Sequence, residues 1–286
     1  RRRAANYRRI IRTMKPILMA SALLALFCDT VQCQEREASG KPLSATVTSV
    51  SDYLFRGLTQ TWGQPAIQAS LDYNAPSGFF ASAWVSNVDS RIYAGGNSEI
   101  DLTVGFRKEI FPEVGVSTSL LGVAYPQANY RHVRNGSANP DQKYDFAELD
   151  LGVTYRWLSL KLGYALTDLM GFNRKTGFTG STRGSLYADL SLDVPLSPDC
   201  SFGAHVGRSA LAAQLAAPTP GGTRNGDFND FRFSLTHRLP DGWAASLLYT
   251  WNGNRAFFDR TASNDNASEL RDMGRKSLSL SVAKTF

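Results

Sequence analysis

The sequence predicts an all-β fold, a transmembrane antiparallel up-and-down β-barrel of about 12 strands. Its short turns would lie at one end and its long loops at the other. Three observations carry this. Segments of about ten residues alternate apolar and polar side chains, the period of a strand. The connections between them alternate long and short along the whole chain. Aromatic residues gather near strand ends, among them Tyr53, Phe55, Tyr73, Phe106, Tyr155, Trp243, Trp251 and Phe286. Hydrocarbon offers the backbone no hydrogen-bond partner, so a spanning sheet must close on itself. Closed barrels of this kind have an even strand number, apolar residues outside, polar residues inside and aromatic girdles at both interfaces.

The chain opens on a leader. Lys15 precedes the apolar run from Ile17 to Cys28, too short for a spanning helix of about 20 residues. It fits the apolar region of a secretory signal peptide. Cleavage is expected after Cys33, and acylation of Cys33 is the alternative. Residues 1–13 precede Met14 and read as a mis-assigned start or a long basic region. Residues 34–44 are a short linker, and the barrel occupies 45–286. Export to the outer membrane of a Gram-negative bacterium follows.

The first strand is expected over 45–56. Val47, Ser49, Ser51, Tyr53 and Phe55 share one face; Thr48, Val50, Asp52, Leu54 and Arg56 share the other. An arginine facing lipid at mid-membrane would cost about 2–4 kcal/mol. Arg56 and Asp52 are therefore assigned to the lumen near the outer rim, with Tyr53 and Phe55 toward lipid. Arg56 is expected to be held by lumenal carboxylates, Asp52 and Asp101 first, and to position the 57–65 loop over the mouth. The remaining strands are expected at 66–74, 79–87, 98–108, 113–125, 145–156, 158–167, 184–194, 200–208, 228–238, 242–252 and 276–286. In the clearest, Leu149, Leu151, Val153 and Tyr155 alternate with Glu148, Asp150, Gly152, Thr154 and Arg156. The last strand alternates and closes on Phe286, which resembles the signal that barrel-assembly machinery reads in the C-terminal strand.

With the polar faces turned inward, the candidate lumen-lining residues are Asp52, Arg56, Asp72, Asp101, Arg107, Glu148, Asp150, Arg156, Lys161, Asp189, Asp193, His205, Asp230, Arg232 and Arg238. Wall charges can set selectivity in a pore, or they can close it as a salt-bridge network. Twelve strands lie between filled eight-stranded barrels and open barrels of 16–18, so a narrow pore and a plugged or ligand-binding barrel both stand. Mixed signs argue against strong anion or cation preference.

Other function classes are excluded or weakened. The formal charge of +6 invites a nucleic-acid reading. However, residues 1–33 hold seven basic residues and one acid, and 24 of each sign remain without them. Cys28 and Cys33 lie in the leader, which leaves Cys200 alone, without an internal disulfide or metal cluster. No nucleophile elbow, zinc-helix or paired-cysteine motif is present, and the glycine pairs precede no helix that would cradle phosphate. A hydrolase would need His132, His205 or His237 in a triad. No catalytic residue, metal or cofactor is assigned. The expected partners are membrane lipid, the assembly machinery and small polar solutes; the oligomeric state is open.

One block is more specific than the rest. Ser51-Asp52-Tyr53-Leu54-Phe55-Arg56-Gly57, Gln60, Gln64-Pro65-Ala66-Ile67-Gln68, Ser77-Gly78-Phe79-Phe80, Trp84-Val85-Ser86-Asn87-Val88 and Glu99-Ile100-Asp101-Leu102 resemble the TorF-type porins. These are also catalogued as a conserved hypothetical family of Gram-negative outer-membrane proteins. The resemblance is dense over 45–107 and looser through Tyr125-Pro126, Glu148 and Lys284-Thr285-Phe286, where Lys284 departs from the usual apolar position. It implies an outer-membrane barrel and a porin role, with no catalytic residues and no established substrate.

Overall fold

Twelve strands hydrogen-bond in sequence order and close on themselves. In this computed structural model the described residues are 42–134, 139–217 and 222–286. The expected leader and all but the end of the linker lie outside them. The strands are β1 (Leu43–Val50), β2 (Ala66–Asn74), β3 (Phe79–Asn87), β4 (Ser98–Phe111), β5 (Val114–Ala124), β6 (Phe146–Tyr155), β7 (Leu158–Ala165), β8 (Leu186–Ser197), β9 (Cys200–Ala210), β10 (Phe228–Leu239), β11 (Trp243–Asn252) and β12 (Ser277–Thr285). Closure is antiparallel between β1 and β12, with Thr46 opposite Thr285 and Val50 opposite Ser281. No strand of the barrel keeps a free edge, so its ladder groups are satisfied without water.

The side chains invert the arrangement of a soluble protein. Leu102, Leu160, Leu235 and Leu280 are exposed on the outer surface, whereas Thr48, Ser201, Ser246 and Ser281 are buried on the inner one. A continuous apolar exterior on a closed sheet is the surface a bilayer covers. At the short-turn end Tyr73, Phe79, Phe106, Tyr155, Trp157 and Trp243 stand exposed. That is where amphipathic rings meet the membrane interface.

The short turns are 75–78, 112–113, 156–157, 198–199 and 240–242; the long connections are 51–65, 88–97, 125–145, 166–185, 211–227 and 253–276. The alternation read from the sequence therefore corresponds to two ends of one barrel. Most expected spans lie close to the observed ones, and β2 and β3 coincide with them. The first strand does not: it ends at Val50 rather than continuing to residue 56. Arg156 also departs from expectation. It has a left-handed φ of 53° in the turn after β6 and pairs with Glu113 at 2.8 Å, half exposed at the short-turn end. The inward phase of β6 stops at Thr154, so Arg156 does not line the lumen.

Candidate functional site

After Val50 the chain leaves the barrel wall as a second, smaller hairpin. The Ser51 amide donates to the Leu280 carbonyl at 2.9 Å and makes the last tie to β12. Asp52 then turns inward and its Oδ1 accepts from the hydroxyls of Thr59 at 2.6 Å and Thr61 at 3.2 Å. Leu54–Phe55 pairs with Leu58–Thr59 across a two-residue turn. Both turn residues have positive φ, 48° at Arg56 and 74° at Gly57, as turns matching the twist of a tight hairpin require. Glycine takes this conformation freely; an arginine gives up roughly 1–2 kcal/mol to hold it, which its side-chain contacts must offset. At the root, the Thr59 amide donates to the Met273 carbonyl, the Asp89 amide to the Gln60 carbonyl, and Trp62 Nε1 to Glu269. Two long loops thus clamp the hairpin.

The tip reaches the far wall. An Arg56 guanidinium nitrogen lies 2.6 Å from Glu148 Oε1 on β6, with the two side chains only 4% and 2% exposed. The same guanidinium sits 3.8 Å from the ring centroid of Tyr187 on β8 and 4.9 Å from that of Phe55. A Cβ on Gly57 would meet Asp230 Cβ of β10 at 2.9 Å and the Trp251 carbonyl oxygen of β11 at 3.1 Å. A hairpin rooted between β1 and β2 that touches β6, β8, β10 and β11 crosses the lumen. Three expectations are corrected here. Tyr53 is buried in the interior and Phe55 packs there too, rather than facing lipid. The described ion pair of Arg56 is with Glu148, not Asp52 or Asp101. Asp52 is instead committed to the threonines of its own hairpin.

On one side of the tip, β8, β9 and β10 bring together residues that the sequence placed separately on the inner face. His205 Nε2 lies 2.6 Å from Asp230 Oδ1, and Nδ1 lies 2.9 Å from Asp189 Oδ2. Ser191 donates to Asp189 Oδ1 at 2.6 Å, and the Tyr187 hydroxyl donates to Asp230 at 3.3 Å. Lys161 approaches the Tyr187 ring at 5.8 Å. Between this cluster and the hairpin is a cavity of about 40 Å³, lined by Asp52, Arg56, Gln68, His205, Asp230 and Arg232 among others. That is room for a few waters.

On the other side, the Tyr53 and Tyr125 hydroxyls donate to Glu99 Oε1 at 3.3 and 3.1 Å. The Tyr53 ring meets Trp84 edge-on at 5.4 Å, and Tyr93 stacks on Tyr125 at 4.0 Å. Tyr93 also donates to Gln60. Burial pushes the loop phenols of Tyr93 and Tyr125 well above their ordinary range and that of Tyr144 up to about 12. They therefore act as neutral donors. Glu99 belongs to this wall but was not among the candidates; its inward phase, shared with Asp101, was the available signal.

The other candidates occupy the inner face toward the short turns. Asp72 accepts from Ser70 and Ser82 at 2.8 and 2.6 Å. Arg107 bonds Asn74 and lies 4.6 Å from the Phe80 ring. Asp193, Arg232 and Arg238 are partly buried on the inward phases of β8 and β10. His237 faces outward. Of the remaining motif residues, Asn87 ties the end of β3 to the start of β2, accepting from the Ile67 amide at 2.8 Å and donating to the Pro65 carbonyl at 3.2 Å. Gly78, at φ 96°, leaves no room for a Cβ beside the Arg107 carbonyl.

Residues 34–286 match the family model described as "Bacterial protein of unknown function (Gcw_chp)". The chain belongs to this family. Among solved structures, this Gcw_chp chain is similar to the KdgM porin at 8% identity and a TM-score of 0.50, covering 85% of this chain and 99% of that one. It is also similar to the NanC porin at 11% identity and a TM-score of 0.49, covering 85% and 98%. At such identities the shared property is the barrel fold. No curated protein matches.

Proposed function

We propose that this Gcw_chp chain is a porin-like channel of a Gram-negative outer membrane, passing small polar solutes through a lumen narrowed by the 51–64 hairpin. The observation that carries this reading is the inversion of polarity: an apolar exterior around an interior lined with charges and hydroxyls. A wall built for lipid around a bore lined with charged and hydroxyl groups is the construction of a pore. The TorF-type resemblance and the barrel shared with the KdgM porin support it. In this reading residues 1–33 are a leader removed on export, and the barrel-assembly machinery receives the chain through β12 and Phe286.

A plugged barrel is the second reading, favoured by the buried Arg56–Glu148 pair and the small cavity behind the hairpin. An enzyme is disfavoured, because both His205 nitrogens lie on carboxylates, at 2.9 and 2.6 Å, and Ser191, 3.2 Å from Nδ1, donates instead to Asp189. Planar-bilayer recording with refolded protein separates the first two. Discrete conductance steps support the channel; silence at all voltages from a folded barrel supports the plug.

A further inference from the structure

The hairpin divides the lumen into two unlike sides. On one side Tyr53, Trp84, Tyr93, Val123, Tyr125 and Phe146 pack into a buried apolar cluster. On the other lies the cavity of about 40 Å³. Its wall is built of smaller polar side chains. Thr250 stands opposite Ser277, and Ser246 opposite Ser281, across β11 and β12. Thr48 stands opposite Gln68 across β1 and β2. All six are buried on the inner face.

The charged groups that line the cavity are committed to protein partners. Asp52 accepts from Thr59 and Thr61. Asp230 lies on His205 and Arg56 on Glu148; Arg232 is partnered too. Two neutral lining groups are not. Gln68 Oε1 and Thr250 Oγ1 are buried and find no hydrogen-bond partner among the described residues. Their residues are only 1% and 4% exposed. A buried polar atom without a partner is costly, and the space beside these two is not filled by protein. The amide oxygen can only accept, whereas the hydroxyl can donate or accept. Val50, Leu54 and Leu248 line the same cavity and give it an apolar face. An uncharged molecule with hydroxyl groups and a hydrocarbon edge meets all of these groups. An ion would find the lining charges already paired.

We propose that solutes pass the hairpin on this side, along the β11–β12–β1–β2 wall, and that Gln68 and Thr250 select small uncharged polyols there. This rests on the porin reading and gives it a path and a solute class. A solute entering a space with room for a few waters sheds most of its hydration. Each hydroxyl left without a partner then raises the barrier. Gln68 Oε1 and Thr250 Oγ1 replace the lost water. Ser281 Oγ, also buried and without a partner among the described residues, continues the wall toward the short turns.

The test is swelling of liposomes carrying the refolded full-length barrel in glycerol, read against protein-free liposomes. Potassium chloride conductance is recorded in parallel. Gln68→Leu and Thr250→Val each remove one hydrogen-bonding group at nearly constant volume. Each should slow glycerol entry by about fivefold, the worth of one neutral hydrogen bond, and leave salt conductance unchanged. Ser279 lines the cavity, so Ser279→Cys places a thiol on the path. A methanethiosulfonate reagent should block salt conductance in that variant and not in wild type. Heat-modifiable gel migration verifies folding, and either wall variant serves alone if the other fails to fold. Thiol modification at residue 279 that leaves conductance intact overturns the path. Glycerol entry unchanged in the wall variants overturns the selectivity pair while a conducting barrel keeps the channel. Equal losses of glycerol entry and conductance overturn it too, because they mark a merely structural change. A folded barrel with neither conductance nor swelling overturns the channel and this proposal together.

Discussion

Arg56 holds the hairpin tip against the far wall, and its pair with Glu148 is nearly sealed from solvent. A buried ion pair is weak evidence of stability by itself, but removing one partner strands the other charge at a cost of about 3–5 kcal/mol. Arg56→Ala should lower unfolding stability by that order, and Glu148→Gln should lower it too. The double variant should lose less than the sum, because each single change removes the same contact; additive losses in urea titrations would show that the pair is not coupled. The sequence marks Arg56 as lumenal through the cost of an arginine in lipid, and the structure places it inside. Its partner was not legible, because Glu148 lies 92 residues away and only barrel closure brings the two together. Arg156 shows the opposite failure. It continues the alternation of β6, but parity holds only while the strand lasts, and a positive φ ends it one residue earlier.

The elements repeat this lesson at larger size. Alternation located eleven strands closely because each must satisfy two solvents on opposite faces. It failed after Val50 because a hairpin folded into the lumen has the same period as the strand before it. Gly57 and Gly63, both with positive φ, were the signs of reversal available in the sequence. Gly57→Val adds a Cβ that meets Asp230 and the Trp251 carbonyl and places a branched residue at φ 74°. The tip should withdraw while the barrel still closes, giving larger single-channel conductance; unchanged conductance in a folded variant would show that the tip does not narrow the path. The 166–185 loop has its own tie. Partial burial pushes the Asp168 carboxyl up, but hydrogen bonds from Ser181, Asn173 and the Arg183 and Thr182 amides outweigh this and hold it below its ordinary range. The resulting stabilisation is present above the unfolded pKa of about 4 and is lost as pH falls through the folded value. Exchange protection of the Thr182 and Arg183 amides should therefore drop on acidification below about pH 4, and Asp168→Asn should remove that dependence.

At the scale of the whole molecule, the barrel and its constriction rest on different physics. The wall is held by ladder closure and an apolar belt, both independent of the hairpin. The hairpin is held by the buried Arg56–Glu148 pair, by hydrogen bonds of Asp52 and Tyr53, by a left-handed turn and by clamps to the 88–97 and 253–276 loops. Replacing residues 52–61 by a short Gly-Ser linker should therefore leave a folded, heat-modifiable barrel with its bore opened. Planar-bilayer recording of wild type beside this variant tests the central claim, that a lipid-spanning barrel is narrowed by its own first loop. Small discrete steps are expected from wild type and clearly larger ones from the variant. Equal conductance from two folded barrels, or silence from both, would contradict it.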